Sequence, residues 1–451
     1  MKEEKINRIA LVSVTRTKFN RASYVSKGLL YIGTYLKNKN YNVKFFQRTY
    51  FKLFNKKYYN LKNFSNLIIK YKPDIIGISI TESNSIIEVI KFIKIIKKMN
   101  SNILIAVGGP HVTSVKEEVF KYLDCNFAFY GESELSFLEF IKSYPNYHNT
   151  KGLIYKKKKK KIKTDFPDII EDLDELAIPN YNIIYNIKNI KKKMRKNKFT
   201  KLFFGINYIT LSRGCPYNCS YCAIPGLYKK FRKRSAKKII DEIEYNLHYF
   251  KNRYFNLACE SFTFDKKWAE EVCNEIIKRK LKIRFSINTR TDLVNEKIIS
   301  LLKKAGCFMI NFGIESGSNK ILNDYDKYNS KFSCKQIYKI SKMLEKRNII
   351  FRSYIMWGNY KESLKDFLKT LTLLIKTRSA NMIQRLDPYP GTSLYESYIK
   401  QKIVKKYWYV YDTKSNIHKS KLNLIIFKLS LFFFKYHNFY IFHRYFIKNK
   451  K

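Results

Sequence analysis

The stretch Tyr208-Ile-Thr-Leu-Ser-Arg-Gly-Cys215-Pro-Tyr-Asn-Cys219-Ser-Tyr-Cys222 sets three cysteines, spaced C-x3-C-x2-C, directly after a β-rich run. Three thiolates can hold three irons of a four-iron cluster and leave the fourth open to a small molecule, whereas a four-cysteine cluster is more often closed. A zinc knuckle would need a fourth ligand at short spacing, and none follows. The motif therefore points to chemistry at an open iron rather than to electron storage.

Downstream of the cysteines, β-rich runs recur at Phe255–Phe262, Arg284–Thr289, Phe308–Ile314, Ile350–Met356 and Met382–Leu386, with helix-patterned segments between them. With Tyr208–Ser212 they make six βα units, which predicts an open barrel smaller than the eight-unit kind. Barrels of this type carry their chemistry on the loops after the strands, and the cysteines fall in the first such loop.

Upstream, Ile9–Val14, Val43–Phe46, Ile75–Ile80, Ile103–Val107 and Phe127–Tyr130 alternate with helical patterns, so residues 8–140 predict a doubly wound parallel sheet. Such sheets bind ligands at the carboxyl ends of their strands. Those ends read Ser79-Ile-Thr-Glu-Ser83, Gly108-Gly109-Pro110-His111 and Gly131-Glu132, which are small, polar or turn-forming. The Gly108–His111 segment reads equally as a plain strand-to-loop turn, and no G-x-G-x-x-G is present to indicate a dinucleotide.

The predicted organisation is an α/β domain over 1–145, a connecting region over 146–200, the barrel over 201–400 and a tail over 401–451. The six lysines of Lys156–Lys161 read as a solvated hairpin tip. Leu422, Ile425, Ile426, Leu429, Phe432, Phe433, Tyr436, Phe439 and Tyr440 form an apolar face at helical spacing, with Lys421, Lys428 and Lys435 on another. That pattern fits a helix lying in a membrane interface or one capping the barrel; its lysines argue against a span.

The 451 residues carry 89 Lys+Arg against 36 Asp+Glu, a net charge of +53. The lysines are spread along the whole chain rather than gathered in a stripe, so nucleic acid is not the expected partner. Eight cysteines in so long a chain do not make a disulfide scaffold. The polar start Met-Lys-Glu-Glu-Lys5 leads straight into a strand and no long apolar run occurs, so a reducing, cytoplasmic setting is expected.

Taken together, residues 8–400 resemble the radical SAM superfamily, specifically its members with an N-terminal cobalamin (B12)-binding domain. The resemblance rests on Arg213-Gly214 and the three cysteines, with the aromatic Tyr221 before the last. It extends to Cys259-Glu260-Ser-Phe-Thr-Phe-Asp265, Asn288-Thr-Arg290-Thr-Asp292, Gly313-Ile-Glu315-Ser316-Gly317 and Asp387-Pro-Tyr-Pro-Gly391-Thr392. Gly28-Leu29, Gly108–His111 and Gly131-Glu132 resemble the cobalamin-domain pattern.

The resemblance implies a Rossmann-like B12-binding sheet followed by a partial (β/α)6 barrel. It implies a [4Fe-4S] cluster on Cys215, Cys219 and Cys222, and S-adenosylmethionine (SAM) bound near Tyr221, Glu260, Glu315 and Ser316. Cobalamin would lie near Gly108, Gly109, Pro110, His111, Gly131 and Glu132. The implied reaction is reductive cleavage of SAM to a 5′-deoxyadenosyl radical, with methyl transfer to an unactivated carbon. Implied partners are a small-molecule or lipid substrate and an electron donor such as flavodoxin or ferredoxin.

Four departures stand out. Cys259 replaces the usual acid, and Trp357–Ser363 replaces a Gly-Leu-Pro-Gly-Glu-Thr-like loop. Gln47 stands where an acid is common, and the Asp-x-His-x-x-Gly signature of cobalt-ligating histidines is absent. Two other readings stay open at this level: a B12-independent mutase, cyclase or oxidoreductase, and a non-enzymatic metal protein that binds membrane or nucleic acid. Cys273, Cys307 and Cys334 are expected as buried apolar residues.

Overall fold

The computed structural model describes residues 5–15, 25–158, 160–196, 207–327 and 333–411. The aromatic tail 421–447 lies outside the described residues. Two compact units emerge. One holds the described residues up to 196 together with 226–229 and 409–411, and the other holds 207–225 and 230–408.

The first unit is built on seven strands: β1 (Arg8–Ser13), β2 (Asn42–Gln47), β3 (Ile75–Ser79), β4 (Leu104–Gly108), β5 (Phe127–Phe129), β6 (Leu153–Lys157) and β7 (Lys160–Lys163), in the order β2-β1-β3-β4-β5-β6-β7. The first five pair in parallel, as the alternating pattern predicts. Every residue of β3, Ile-Ile-Gly-Ile-Ser, is buried, which is why it reads as a continuous apolar run. Strand order reverses at β1, between β2 and β3, so the crevice at their carboxyl ends is the natural ligand position of this topology.

The lysine run forms the predicted hairpin, and β6 pairs antiparallel with β5, so the hairpin extends the same sheet rather than standing apart from it. Lys160 and Lys161 lie on the exposed edge strand β7, where charge discourages further strand pairing.

The second unit contains a six-stranded parallel sheet of β8 (Tyr208–Thr210), β11 (Tyr254–Ala258), β12 (Arg284–Thr289), β13 (Cys307–Glu315), β14 (Ile350–Trp357) and β15 (Ala380–Arg385), ordered sequentially. A separate two-stranded ladder joins β9 (Ser212–Arg213) to β10 (Arg232–Lys233). Alternate residues divide the main sheet's faces. Ile209, Leu257, Phe285, Ile287, Ile310, Phe312 and Phe351 join the apolar core with helices 236–250, 266–278, 296–305, 334–346 and 364–377.

The opposite face presents Asn256, Asn288, Asn311, Glu315 and Arg352. A sheet with one face of Ile and Phe and the other of Asn, Glu and Arg is greasy where helices cover it and polar where a polar ligand would lie. The β-run at Phe255–Phe262 ends earlier than predicted, at Ala258, because Phe262 is buried from a loop rather than from a strand. Cys273 and Cys307 are buried as expected; Cys334 is exposed, at the first turn of its helix, which corrects the expectation for that residue.

Candidate functional site

The cysteine loop, Gly214 to Phe231, is pinched at its base. Arg213 pairs with Arg232 and Ser212 with Lys233, and the Arg234 amide donates to the Leu211 carbonyl at 2.9 Å. Gly214 takes φ +84°, and a Cβ there would meet the Lys230 carbonyl oxygen at 2.6 Å. Only glycine fits so close a backbone approach.

Ser220 fastens the middle of the loop. Its amide donates to the Tyr325 carbonyl (3.1 Å) and its hydroxyl to the Asp324 carbonyl (3.0 Å), while its own carbonyl accepts from the Leu394 amide (2.9 Å). The Pro-Tyr-Pro-Gly-Thr turn supplies that last contact, since Thr392 caps the helix Ser393–Lys400 that begins there.

Cys215, Cys219 and Cys222 are all free and half-buried. Burial raises the thiols of Cys215 and Cys222, the latter to about 12, and each also feels Glu260 and Cys219. Among the described residues no three His, Cys, Asp or Glu side chains converge tightly enough to grip one metal ion. The three thiols sit on one pinned loop close enough to feel one another's charge, and soft thiolate donors gathered in this way suit an iron–sulfur cluster.

Next to the cysteines stands a buried polar triad. The Tyr221 hydroxyl donates to Glu315 Oε1 (3.1 Å), and Lys327 Nζ donates to both Glu315 Oε1 and the Tyr221 oxygen at 3.0 Å. Burial, then the Glu315 charge, lifts the Tyr221 phenol well above its usual range. Glu315 holds φ +65° where the β13–β14 register shifts, and a Cβ on Gly313 would meet Glu315 Oε1 at 2.6 Å. A bulge thus turns this carboxylate off the sheet line, and the glycine makes room for it.

Glu260 is exposed, and desolvation by the atoms around it raises its carboxyl. Cys259, where an acid is usual, is buried and accepts from the Ser212 hydroxyl at 2.9 Å. Arg290 stacks over the Tyr217 ring at 4.0 Å, chelates Asp292 at 2.9 and 3.0 Å, and donates to the Lys327 carbonyl at 2.6 Å. Tyr221, Glu315 and Glu260 are therefore grouped around the cysteine loop. Ser316 follows Glu315 directly, but its fully buried hydroxyl is turned to other partners: it lies 3.3 Å from the Thr370 hydroxyl and accepts from the Ser318 amide.

Neither Ser220 nor Lys327 carries a signal in the sequence: Ser220 fills an x position inside the cysteine motif, and Lys327 lies 106 residues from Tyr221.

In the first unit, Gly109 takes φ +95°, and a Cβ there would meet Ser79 Oγ at 2.9 Å, so the β3 and β4 ends are knitted closely. The Gly108 carbonyl accepts from the Ile80 amide at 2.8 Å and the Ile80 carbonyl from the His111 amide at 3.0 Å. His111 is buried with both ring nitrogens engaged, Nδ1 by Ser83 Oγ at 2.8 Å and Nε2 by the Tyr122 hydroxyl at 2.9 Å. Burial lowers its pKa to about 4. The ring braces the loop.

Gly131, at φ +73°, packs against Pro167 and donates to Thr113 Oγ1 at 2.9 Å. Gln47, in place of an acid, donates to Ser13 and Thr49 and accepts from the Ser26 amide.

Residues 209–374 match the Radical SAM superfamily and residues 22–141 match the B12 binding domain. An uncharacterized methyltransferase of Pyrococcus horikoshii is 29% identical over 365 residues, covering 79% of this chain and 76% of that protein. The anaerobic magnesium-protoporphyrin IX monomethyl ester cyclase of Rubrivivax gelatinosus is 28% identical over 67% of this chain, which spans 54% of the cyclase. The radical S-adenosylmethionine methyltransferase TsrM of Kitasatospora setae, solved with cobalamin and a [4Fe-4S] cluster, shares the fold. Its TM-score is 0.73 at 15% identity, covering 88% of this chain and 78% of TsrM. Both sheets and both domain matches agree, and the chain carries a radical SAM domain after a B12-binding domain.

Proposed function

We propose that this chain is a cobalamin-dependent radical SAM methyltransferase acting on an unactivated carbon of a small molecule or lipid. The observation that carries the reading is the pinned cysteine loop at the carboxyl edge of β8, beside the Tyr221–Glu315–Lys327 triad, in a chain that also holds the B12-type sheet. Relatives named as methyltransferases support it.

In this reading Cys215, Cys219 and Cys222 hold the cluster, and Glu260 and Glu315 bind the polar groups of SAM. Tyr221 and Lys327 hold the Glu315 carboxylate in one orientation. The loops at Gly108–Pro110 and Gly131-Glu132 receive cobalamin, with His111 bracing the first of them rather than offering a nitrogen. Ser316 acts through its backbone, because its hydroxyl is committed to Ser318 and Thr370. Bound together, these cofactors supply reductive cleavage of SAM and a transferable methyl group, while the protein supplies binding, orientation and exclusion of water.

The electron comes from a low-potential carrier such as flavodoxin or ferredoxin. Eight free cysteines fit a reducing, cytoplasmic setting. No helix among the described residues is long and apolar enough to cross a membrane, and peripheral attachment through the tail 421–447 belongs to this proposal.

The test is anaerobic reconstitution with iron, sulfide and hydroxocobalamin, followed by product analysis with SAM and reductant. S-adenosylhomocysteine formed together with 5′-deoxyadenosine is the expected result. Deoxyadenosine alone would sink methyl transfer, and a Cys222→Ala variant that keeps a full cluster would sink the site assignment.

A further inference from the structure

The proposed reaction consumes electrons that the chain does not itself store, so some surface must receive a donor. One surface is built for it. Residues 229–238 read Lys-Lys-Phe-Arg-Lys-Arg-Ser-Ala-Lys-Lys, seven basic residues in ten with no acid. Arg232 and Arg234 turn inward and are buried; Lys230, Lys233, Lys237 and Lys238 are exposed. The helix after β11 adds exposed Lys266 and Lys267 in its first turn.

These lysines share an edge. Helices that follow parallel strands start at the strands' carboxyl ends, so the first turns of helices Ala236–Phe250 and Lys266–Lys278 lie at the edge that carries the cysteine loop. The connection to that loop is direct: Lys233 pairs with Ser212, and the Lys230 carbonyl packs on Gly214, next to Cys215.

Lys233 is tied to Asp265, the N-cap of the second helix, but local folding does not account for the placement of the other lysines. Neither helix has an acid in its first turn, and each has two lysines there instead. Cations at a helix N-terminus oppose the helix dipole, so these four residues work against the helices they begin. Amid them sits Phe264, 41% exposed, its ring resting on Tyr217 of the cysteine loop at 5.8 Å and on Phe231 at 5.9 Å. An exposed aromatic anchored from below and ringed by charge matches the anatomy of a protein interface: an aromatic centre inside a polar rim.

We propose that Lys230, Lys237, Lys238, Lys266 and Lys267, around the ring of Phe264, form the docking surface for an acidic one-electron carrier protein that reduces the cluster. The inference rests on the reading that Cys215, Cys219 and Cys222 hold a cluster. The step balances simply: the reduced carrier loses one electron and the oxidised cluster gains it. Transfer between proteins falls off steeply with separation, so a productive donor docks on the side of the loop that bears the thiolates. Complementary charge brings it there quickly.

Because the whole chain is strongly basic, the test compares two lysine clusters. Reduced flavodoxin is the probe, and the protein is the reconstituted enzyme. One variant carries Lys237→Glu, Lys238→Glu, Lys266→Glu and Lys267→Glu; a second carries only Phe264→Ala; a control carries Lys156→Glu, Lys157→Glu, Lys160→Glu and Lys161→Glu in the hairpin. Flavodoxin binding is measured by titration calorimetry at low and high salt. Cluster reduction is followed by stopped flow with flavodoxin and, separately, with titanium(III) citrate.

The quadruple edge variant is expected to bind at least tenfold more weakly and to accept electrons from flavodoxin at least tenfold more slowly, with loss of the salt dependence. Phe264→Ala is expected to weaken binding with the salt dependence intact. The hairpin control should match the parent, and titanium(III) should reduce all four proteins equally. Unchanged flavodoxin binding in the edge variant, or an equal loss in the hairpin control, would overturn the proposal. A parent protein that shows no reducible cluster even with titanium(III) would instead overturn the functional reading beneath it.

Discussion

Lys327 is the residue whose loss the site should feel most. Its ammonium and the Glu315 carboxylate are 7% and 9% exposed, so Lys327→Met strands a buried negative charge. Removing one partner of such a pair costs about 3–5 kcal/mol. Urea unfolding of the metal-free chain should show a loss of that order, and Tyr221→Phe, which removes only hydrogen bonds, about 1 kcal/mol. His111 gives a pH signature. Its folded pKa of about 4 lies below the unfolded value, so between about pH 6.5 and 4 the unfolded chain binds a proton that the folded chain refuses. The His111 contribution is complete above that window and is lost as pH falls through it, by up to about 3 kcal/mol. Glu362, raised to about 7 by burial, acts in the opposite sense, favouring the fold below its unfolded pKa and losing that contribution as pH rises toward 7. The informative quantity is therefore the difference between the parent and His111→Gln: the variant should lose less stability on acidification over the same window.

At the scale of elements, the loop after β14 shows how an altered motif keeps its shape. Trp357–Ser363 lacks the expected Pro-Gly, yet the Glu362 carboxylate accepts from the Gly358 amide at 2.7 Å, and Asn359 accepts from the Lys361 amide at 2.9 Å. Ser363 and Asp366 then form a capping box on helix Leu364–Thr377. Ser363→Ala should cost about 1 kcal/mol in urea unfolding, the usual worth of an N-cap. The elements themselves were readable in the sequence because period and composition are local properties: β12 falls on Arg284–Thr289 as predicted. The cysteine spacing was readable for the same reason. What stayed hidden was non-local. The ladder from Ser212 to Lys233 and the Ser220 anchor to Asp324 join residues that no period relates. The pairing of β6 with β5 likewise depends on a free sheet edge, which no short window of sequence reveals.

For the molecule as a whole, a net charge of +53 means the folded chain repels itself. Added salt screens that repulsion, so the melting temperature should rise by several degrees between low and roughly physiological ionic strength, as scanning fluorimetry would show. A melting temperature indifferent to salt would mean the 36 acids are placed well enough to neutralise the field locally. The ladder that pinches the cysteine loop has a consequence for the protein's life in air. Its hydrogen bonds are made by backbone, and Ser220 fastens the loop to the barrel wall, so none of these ties runs through a thiol. A chain stripped of iron by oxygen should keep its socket, and repair then becomes a matter of supplying iron and sulfide in place rather than folding the enzyme anew.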